Sequence, residues 1–388
     1  MPAMSSWCDG RLPASEIWHP YGEHRMFLPR LLMLLMGRAS GWRIQLESLL
    51  SSLLLISGAV LIAIKVVRES RECNRNIWIP LALTSLLALA PNRAEAYMWG
   101  WQLQVSLALF FTVSAMMLFE RSQNRLILLI PAVIFGFAAS FSFGAGLAVW
   151  PSGLLILLPF RSKRSWIAAA VWFAAAAAVV SLYLGSMFET SRTIMIDDIP
   201  RIVFYAIVFV GSPLLSYAHR VPAVGIYIAG LIGLSGIIML ALLVSRIWRS
   251  GGDNWRFWGA LGCISIFSGL LAGSGRSGFG AEQALALRYI PFSSLLWISI
   301  VVLMIAAKNP PFTVRARKTA TWILVLMLLL SSAHGIYYCC RRMERLKPVP
   351  QMLLDERFDQ AAPRVLIEQE KLQHLCEHLR DNRLSVYR

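Results

Sequence analysis

Along this chain apolar residues come in long blocks parted by short polar breaks, with no sustained alternation of period two. Ten blocks read as helices in a bilayer: 45–66, 77–91, 102–119, 126–141, 145–160, 166–188, 223–245, 257–273, 291–307 and 319–340. Several approach the roughly 20 apolar residues that a span needs. An eleventh, 202–218 (IVFYAIVFVGSPLLSYA), carries a Gly-Ser-Pro break in its middle, which suits a re-entrant or interfacial helix. An ordinary crossing helix is the alternative. The stretch 126–160 has no charge, yet as one helix it would run roughly 52 Å, too long for one crossing. The turn SFSFGAG at 140–146 therefore predicts a hairpin with two short arms. The Ala-rich AAAVWFAAAAAVV within 166–188 suits close packing in lipid.

The polar breaks differ in charge. Five are rich in Lys and Arg: Lys65/Arg68/Arg71/Arg75, Arg121/Arg125, Arg161/Lys163/Arg164, Arg246/Arg249/Arg256 and Lys308/Arg315/Arg317/Lys318. These hold 16 basic residues, against six in the intervening 91–102, 140–146, 189–222 and 274–290. Basic loops stay on the cytoplasmic side, so all five belong there. Parity then makes 77–119 a hairpin, puts two crossings between the third and fourth basic loops, and leaves 202–218 not crossing. The opposite face collects 1–42, 91–102, 140–146, 189–222, 274–290 and the tail. Arg341, Arg342, Arg345 and Lys347, directly after the last helix, run against that placement.

Composition agrees. The chain has 388 residues, 57% of them apolar, and a mean hydropathy of +0.59, above the 45–50% apolar content usual for soluble domains. The expected fold is an all-α integral membrane protein of about 10 transmembrane helices, one re-entrant or interfacial segment and a short helical C-terminal tail. Its parts are a polar loop and interfacial helix at 1–42, a transmembrane domain at 43–340 and a tail at 341–388, where Leu372, Leu375 and Leu379 form one stripe of an amphipathic helix starting near Pro363. A net charge of +16 would suit nucleic acid, but the basic residues sit in short loops, with no basic-aromatic domain to hold one. The six cysteines form no CxxC pair and no Cys/His spacing, which argues against zinc.

Three polar clusters fall on the less basic face. The first, IWHPYGEHRMFLPRLL (17–32), sets Glu23 among His19, His24, Arg25 and Arg30, followed by an apolar stretch suited to the membrane surface. It reads either as a solvated loop of mutually paired charges or as the lid of a groove. The second, SGRSGFGAEQALALRYIP (274–291), surrounds Arg276, Glu282, Gln283 and Arg288 with small residues. Backbone N–H groups and arginine forks there could cradle a phosphate; a flexible loop with interfacial arginines is the alternative. The third, AYMWGWQLQ (96–104), offers Trp99 and Trp101 either as an interfacial belt or as faces for sugar rings, with Gln102 and Gln104 to bond hydroxyls. Asp197 and Asp198 add two carboxylates, which as readily stay solvated.

In this order HPYGEHRMFLPRLLMLL, WGWQLQ, GLAVWPSGLLILL, GSPL and GRSGFGAEQALALRY resemble a group of uncharacterised bacterial polytopic proteins. These are similar in layout to GT-C-type glycosyltransferases, which use polyprenyl-phosphate sugars. The resemblance covers about residues 17–305. It implies a multi-pass protein of the bacterial inner membrane whose partners are membrane lipid, a polyprenyl-phosphate-linked sugar and an envelope glycan or lipid acceptor, with no nucleic acid. By that resemblance Glu23 takes the catalytic carboxylate role, although the tandem Asp-Asp or Asp-x-Asp common in the first outside loop of such enzymes is absent from that loop. A divalent metal stays open, without a ligand motif.

The expected chemistry is glycosyl transfer at the outer face. Glu23 would take the acceptor's proton, with His24 or His19 orienting it or tuning its pKa. Arg276 and Arg288 would stabilise the leaving lipid phosphate, with Arg25, Gln283, Trp99 and Trp101 as further substrate contacts. An O-antigen-type polymerase or ligase shares this donor and these arginines. A transporter or flippase would need polar groups near the midplane, of which the spans hold almost none. A non-enzymatic envelope assembly subunit is the remaining alternative.

The charge pattern also makes a prediction about the start of the chain. An outside N-terminus carrying Arg11, Arg25, Arg30, Arg38 and Arg43, with no signal peptide as written, opposes its own translocation. An in-frame apolar stretch of roughly 20 codons is therefore expected just upstream of Met1 in the genomic DNA. A stop codon close upstream, together with thiol labelling that places Cys8 in the cytoplasm, would overturn that expectation and the assignment of the faces.

Overall fold

The structure is a computed structural model. It describes residues 14–20, 22, 24–72, 77–158, 160, 162–185, 195–215, 222–253, 255–306, 313–365, 368–381 and 385–387. Among them every regular element is helical. In chain order these are α1 (Ala14–Trp18), α2 (Phe27–Ser40), α3 (Ile44–Glu72), α4 (Trp78–Leu89), α5 (Ala94–Met98), α6 (Leu103–Ser122), α7 (Leu129–Ser140), α8 (Val149–Leu157), α9 (Lys163–Leu184), α10 (Ile199–Gly211), α11 (Pro222–Arg249), α12 (Trp255–Arg276), α13 (Ile290–Ala306), α14 (Val314–Leu346), α15 (Val349–Leu354), α16 (Phe358–Val365) and α17 (Gln369–Asp381). Seven stretches are long and apolar enough to cross a membrane: Ile44–Glu72, Gly100–Ser122, Lys163–Leu184, Val224–Arg249, Trp255–Phe279, Leu287–Met304 and Arg315–Leu354. The arms Leu126–Ser140 and Gly144–Leu157 are shorter.

Helix ends fall where the local chemistry permits. α3 and α14 outrun the apolar blocks that predicted them, because Lys, Arg and Glu continue a helix well and no proline meets α14 before Pro348. α2 stops at Gly41, which adopts φ +63° and returns its N–H to Gly37. Trp42 then folds back until its ring fills the space where a Gly37 Cβ would stand. α10 breaks into a 3₁₀ turn at Ser212–Leu214. The tail differs from the expected single helix near Pro363: Pro363 lies inside α16, and the stripe of Leu372, Leu375 and Leu379 belongs to the separate α17.

The core mixes apolar layers with close backbone contacts. α7 and α8 form a hairpin: Trp150 covers Gly136, and its Nε1 donates to Ser140 Oγ at 2.9 Å. Trp172 of α9 is fully buried, stacks on Phe119 at 4.1 Å between centroids and donates to the Trp150 carbonyl. The rest of α9 presents apolar side chains such as Trp166 and Phe173 outward, as a lipid-facing helix does. Where hydroxyls are buried between helices they hold each other or backbone carbonyls. Ser51 meets Ser106 and the Ala96 carbonyl, and Ser265 donates to the Ser293 carbonyl. Such bonds act as polar glue inside a bilayer.

The helices gather two unlike ends. At one, Lys65 bonds Glu120, Arg164 reaches the Asn124 carbonyl, and Lys65 stands over Phe257. This end brings four of the basic loops together. The other end is irregular, made of 3₁₀ turns at Pro91–Arg93, Gly100–Gln102, Gly144–Ala148, Ser212–Leu214 and Ser277–Tyr289 together with the N-terminal helices. The tail docks there too. Met352, Phe358, Leu372 and Cys376 form its own small core, Leu379 packs towards Leu34 and Trp42, and Ser385 N–H donates to the Gly41 carbonyl.

α10 and α11 approach most closely. A Cβ on Gly233 would stand 1.9 Å from the Ile207 carbonyl oxygen, and one on Gly211 would stand 2.0 Å from that of Ala229. Only small residues permit such contact. Gly233→Leu is expected to cost about 1–3 kcal/mol, the usual penalty for overpacking, and to lower the thermal midpoint in detergent. Gly230→Ala, whose Cβ would have 3.6 Å to Phe204, should leave it within error. Equal midpoints for both variants would refute the close contact.

Candidate functional site

Two polar centres occupy the irregular end. The first is built by the N-terminal segment on the α7–α8 turn and the end of α9. Arg25, 1% exposed, donates from Nε to the Tyr183 carbonyl at 2.6 Å and from Nη1 to that of Trp18 at 3.3 Å, while its backbone N–H meets the Tyr183 hydroxyl. Tyr183 is in the last turn of α9, whose final carbonyls lack helical partners and carry the negative end of the helix dipole. Arg25 thus satisfies and neutralises a helix C-terminus. Burial pushes its pKa down, and the neighbouring Tyr183 works the other way. Arg25 also lies over Trp18, which stacks on Phe141. Arg30 Nη1 similarly takes the carbonyls of Glu16, Ile17 and His19 around the end of α1.

His24 packs on Phe143 at 4.5 Å, and a Cβ on Gly144 would come within 2.7 Å of its Nδ1. The glycine therefore makes room for the imidazole. His19 is exposed, with Nδ1 2.8 Å from the Pro20 carbonyl. Glu23 lies outside the described residues.

The second centre joins four segments remote in sequence. Asn92 Nδ2 donates to the Pro213 carbonyl and to Ser331 Oγ, both at 3.0 Å, and Ser331 donates to the same carbonyl at 2.9 Å. This triangle pins the turn after α4 to the break after α10 and to α14. Gly335 lets the turn approach, since a Cβ there would stand 2.3 Å from the Pro91 oxygen. Beside it Arg93 is 1% exposed and donates from Nη2 to the Leu87 carbonyl at 2.8 Å. Burial pushes its pKa down to about 10, against a smaller opposing effect of Tyr97, so it stays charged at neutral pH.

On this frame Tyr338 donates to Glu95 Oε1 at 3.3 Å and accepts from Arg342 Nη1 at 3.0 Å. Arg342 also stands 5.2 Å from the Trp99 ring centroid. Glu95 Oε2 is buried without a hydrogen-bond donor among the described residues. Arg288 is close enough to act on Glu95 electrostatically, stands over Tyr289 and donates to Gln283 Oε1 at 3.4 Å. Arg276 and Arg288 both act on the Tyr205 hydroxyl, and Arg276 also lies over Phe279.

Thus Trp99, Gln283, Arg276 and Arg288 share one centre, while His24, Arg25 and His19 belong to the other. Trp101 packs with Met33, Leu103 and Leu107 in an apolar cluster, and Gln102 and Gln104 are buried. Asp198 accepts the Met195 N–H, and Asp197 is exposed. Glu95, Tyr338 and Arg342 were not singled out from sequence. Glu95 was a lone acid in an outside loop, and Arg342 read as a charge on the wrong side. Among the described residues no three His, Cys, Asp or Glu side chains gather as metal ligands.

No protein family matches the chain, and no curated protein and no solved structure resembles it significantly.

The Asn92 triangle can be broken by one atom. Asn92→Asp puts an acceptor against the Pro213 carbonyl and loses the donor, which should cost about 1–3 kcal/mol. Ser331→Ala loses a hydroxyl only and should cost less. Thermal unfolding in detergent compares them; a stable Asn92→Asp protein would show that the turns do not depend on each other.

Proposed function

We propose that this is a bacterial inner-membrane protein of about ten crossings that transfers a sugar from a polyprenyl-phosphate donor to an envelope acceptor at its irregular end. The seven long spans become ten when α4 and the α7–α8 arms, whose ends alternate between the basic and irregular ends, count as short crossings. The positive-inside rule then puts the basic end in the cytoplasm and the irregular end outside. α10, broken at Gly211–Pro213, does not cross.

The reading rests on one observation: Glu95, Tyr338, Arg342 and Trp99 form a connected chain, with Arg288 acting on the same carboxylate. A carboxylate among arginines can take the proton of an acceptor hydroxyl as its oxygen attacks the anomeric carbon. The bond from that carbon to the donor phosphate breaks, and the departing lipid phosphate takes the electron pair. Arg288 and Arg276 would stabilise its developing charge. Trp99 provides an aromatic edge for a sugar. Glu95 is taken as the base for its contacts with Tyr338 and Arg288, and Glu23, the residue to which the resemblance gives this role, stays an alternative that the same assay tests.

Transfer of radiolabelled sugar from polyprenyl phosphate by the purified protein tests this. Glu95→Gln should lose at least roughly 10²-fold, the low end of general-base catalysis. Arg288→Lys should lose activity although charge is kept, because lysine cannot grip phosphate in two places. Loss in Glu23→Gln with normal Glu95→Gln would move the base to the N-terminal segment. Full activity in both Gln variants would overturn carboxylate catalysis at this end.

A further inference from the structure

An apolar cavity lies away from the proposed site, against the basic end. It is an apolar groove of about 610 Å³ between α3, α6 and α7, walled by Ile56, Val60, Ile64, Phe110, Leu118 and Phe135. Its volume falls within the ordinary range of ligand sites. Ile56, Val60 and Ile64 are each 41–50% exposed on the outer wall, so the groove opens sideways, towards the acyl chains of a bilayer.

Arg68 and Arg121 also line the groove, and both continue into a smaller polar recess of about 280 Å³ towards the loops. The recess also holds Lys65 and the acids Glu69, Glu72 and Glu120, two of which Lys65 engages. Lys65 Nζ takes Glu120 at 2.7 Å and Glu69 at 3.1 Å, and Glu72 lines the recess without reaching the groove. Neither Arg68 nor Arg121 has an ion-pair partner among the described residues. Two exposed guanidiniums thus converge at the polar mouth of an apolar slot, one from each of two neighbouring helices.

We propose that this groove holds one anionic phospholipid of the leaflet at the basic end, with an acyl chain along Ile56–Ile64 and Phe135 and the phosphate between Arg68 and Arg121. Charge complementarity selects the headgroup: two arginine forks match phosphate oxygens, and basic recesses between helices on the cytoplasmic side suit anionic lipids. A zwitterionic lipid brings a cation to the same two arginines and gains less. The groove is separate from the Glu95 centre, so this assignment does not depend on the sugar chemistry.

Native mass spectrometry of the full chain in neutral detergent tests it, with phosphatidylglycerol and phosphatidylcholine of equal chain length as probes. The first phosphatidylglycerol should bind more tightly than phosphatidylcholine. The double variant Arg68→Gln/Arg121→Gln should weaken phosphatidylglycerol by about tenfold or more, the expected loss for charge-assisted contacts, and weaken phosphatidylcholine less, so that the preference between the two lipids disappears. Both side chains are exposed, so the fold should tolerate the change. Val60→Trp should fill the slot and weaken both lipids. Arg249→Gln, equally basic and exposed but remote from the groove, should change nothing. Equal binding of the two lipids, or normal phosphatidylglycerol binding by the double variant, would overturn the proposal. Displacement by millimolar inorganic phosphate would do so as well, assigning the arginines to a free anion.

Discussion

Backbone carbonyls freed where apolar helices break are the constraint on which the irregular end depends. A helix in lipid satisfies its own polar groups, but a turn at that depth must find donors within the protein. Here the donors are side chains. Arg25 serves Tyr183 and Trp18, Arg30 serves the end of α1, Arg93 serves Leu87, and Asn92 with Ser331 serves Pro213. Trp297 serves Val210, just before the break in α10. Each of these holds a segment whose carbonyls lie at a helix end or turn.

This gives the dense polar run before the first long helix a structural purpose. Arg25 and Arg30 give their donors to main-chain oxygens, and His24 fits a space that Gly144 leaves open. The run fastens the N-terminal helices over the α7–α8 turn. Because Asn92 and Gly335 fix the turn after α4 against α14, Glu95 and Tyr338 meet although they lie far apart in sequence.

The two ends answer to different physics. At the basic end Lys65 gathers Glu69 and Glu120 between α3 and α6, and Arg68 and Arg121 stand exposed beside them. At the irregular end charges stand against aromatic rings, as with half-buried Arg342 beside exposed Trp99 and half-buried Arg288 over Tyr289.

By itself the sequence determined the helical class, the position of most helices, the hairpin turn at 140–146 and the break at Gly211–Pro213, because apolar block length and Gly/Pro placement are local signals. It also marked Gln283, Arg276 and Arg288, since small residues and arginines cluster along the chain there, and Trp99, which stands in a run of aromatic residues. Only the tertiary structure decided that Glu95 faces Tyr338 and Arg342, that Trp101 turns into an apolar cluster, and that Arg25 ends as a cap on α9. It also decided that α3, α6 and α7 leave a slot beneath Arg68 and Arg121. The physical reason is the same in each case: a single acid, tryptophan or arginine has no periodicity, and its role is set by the helix end or side chain that long-range packing places within about 3 Å of it.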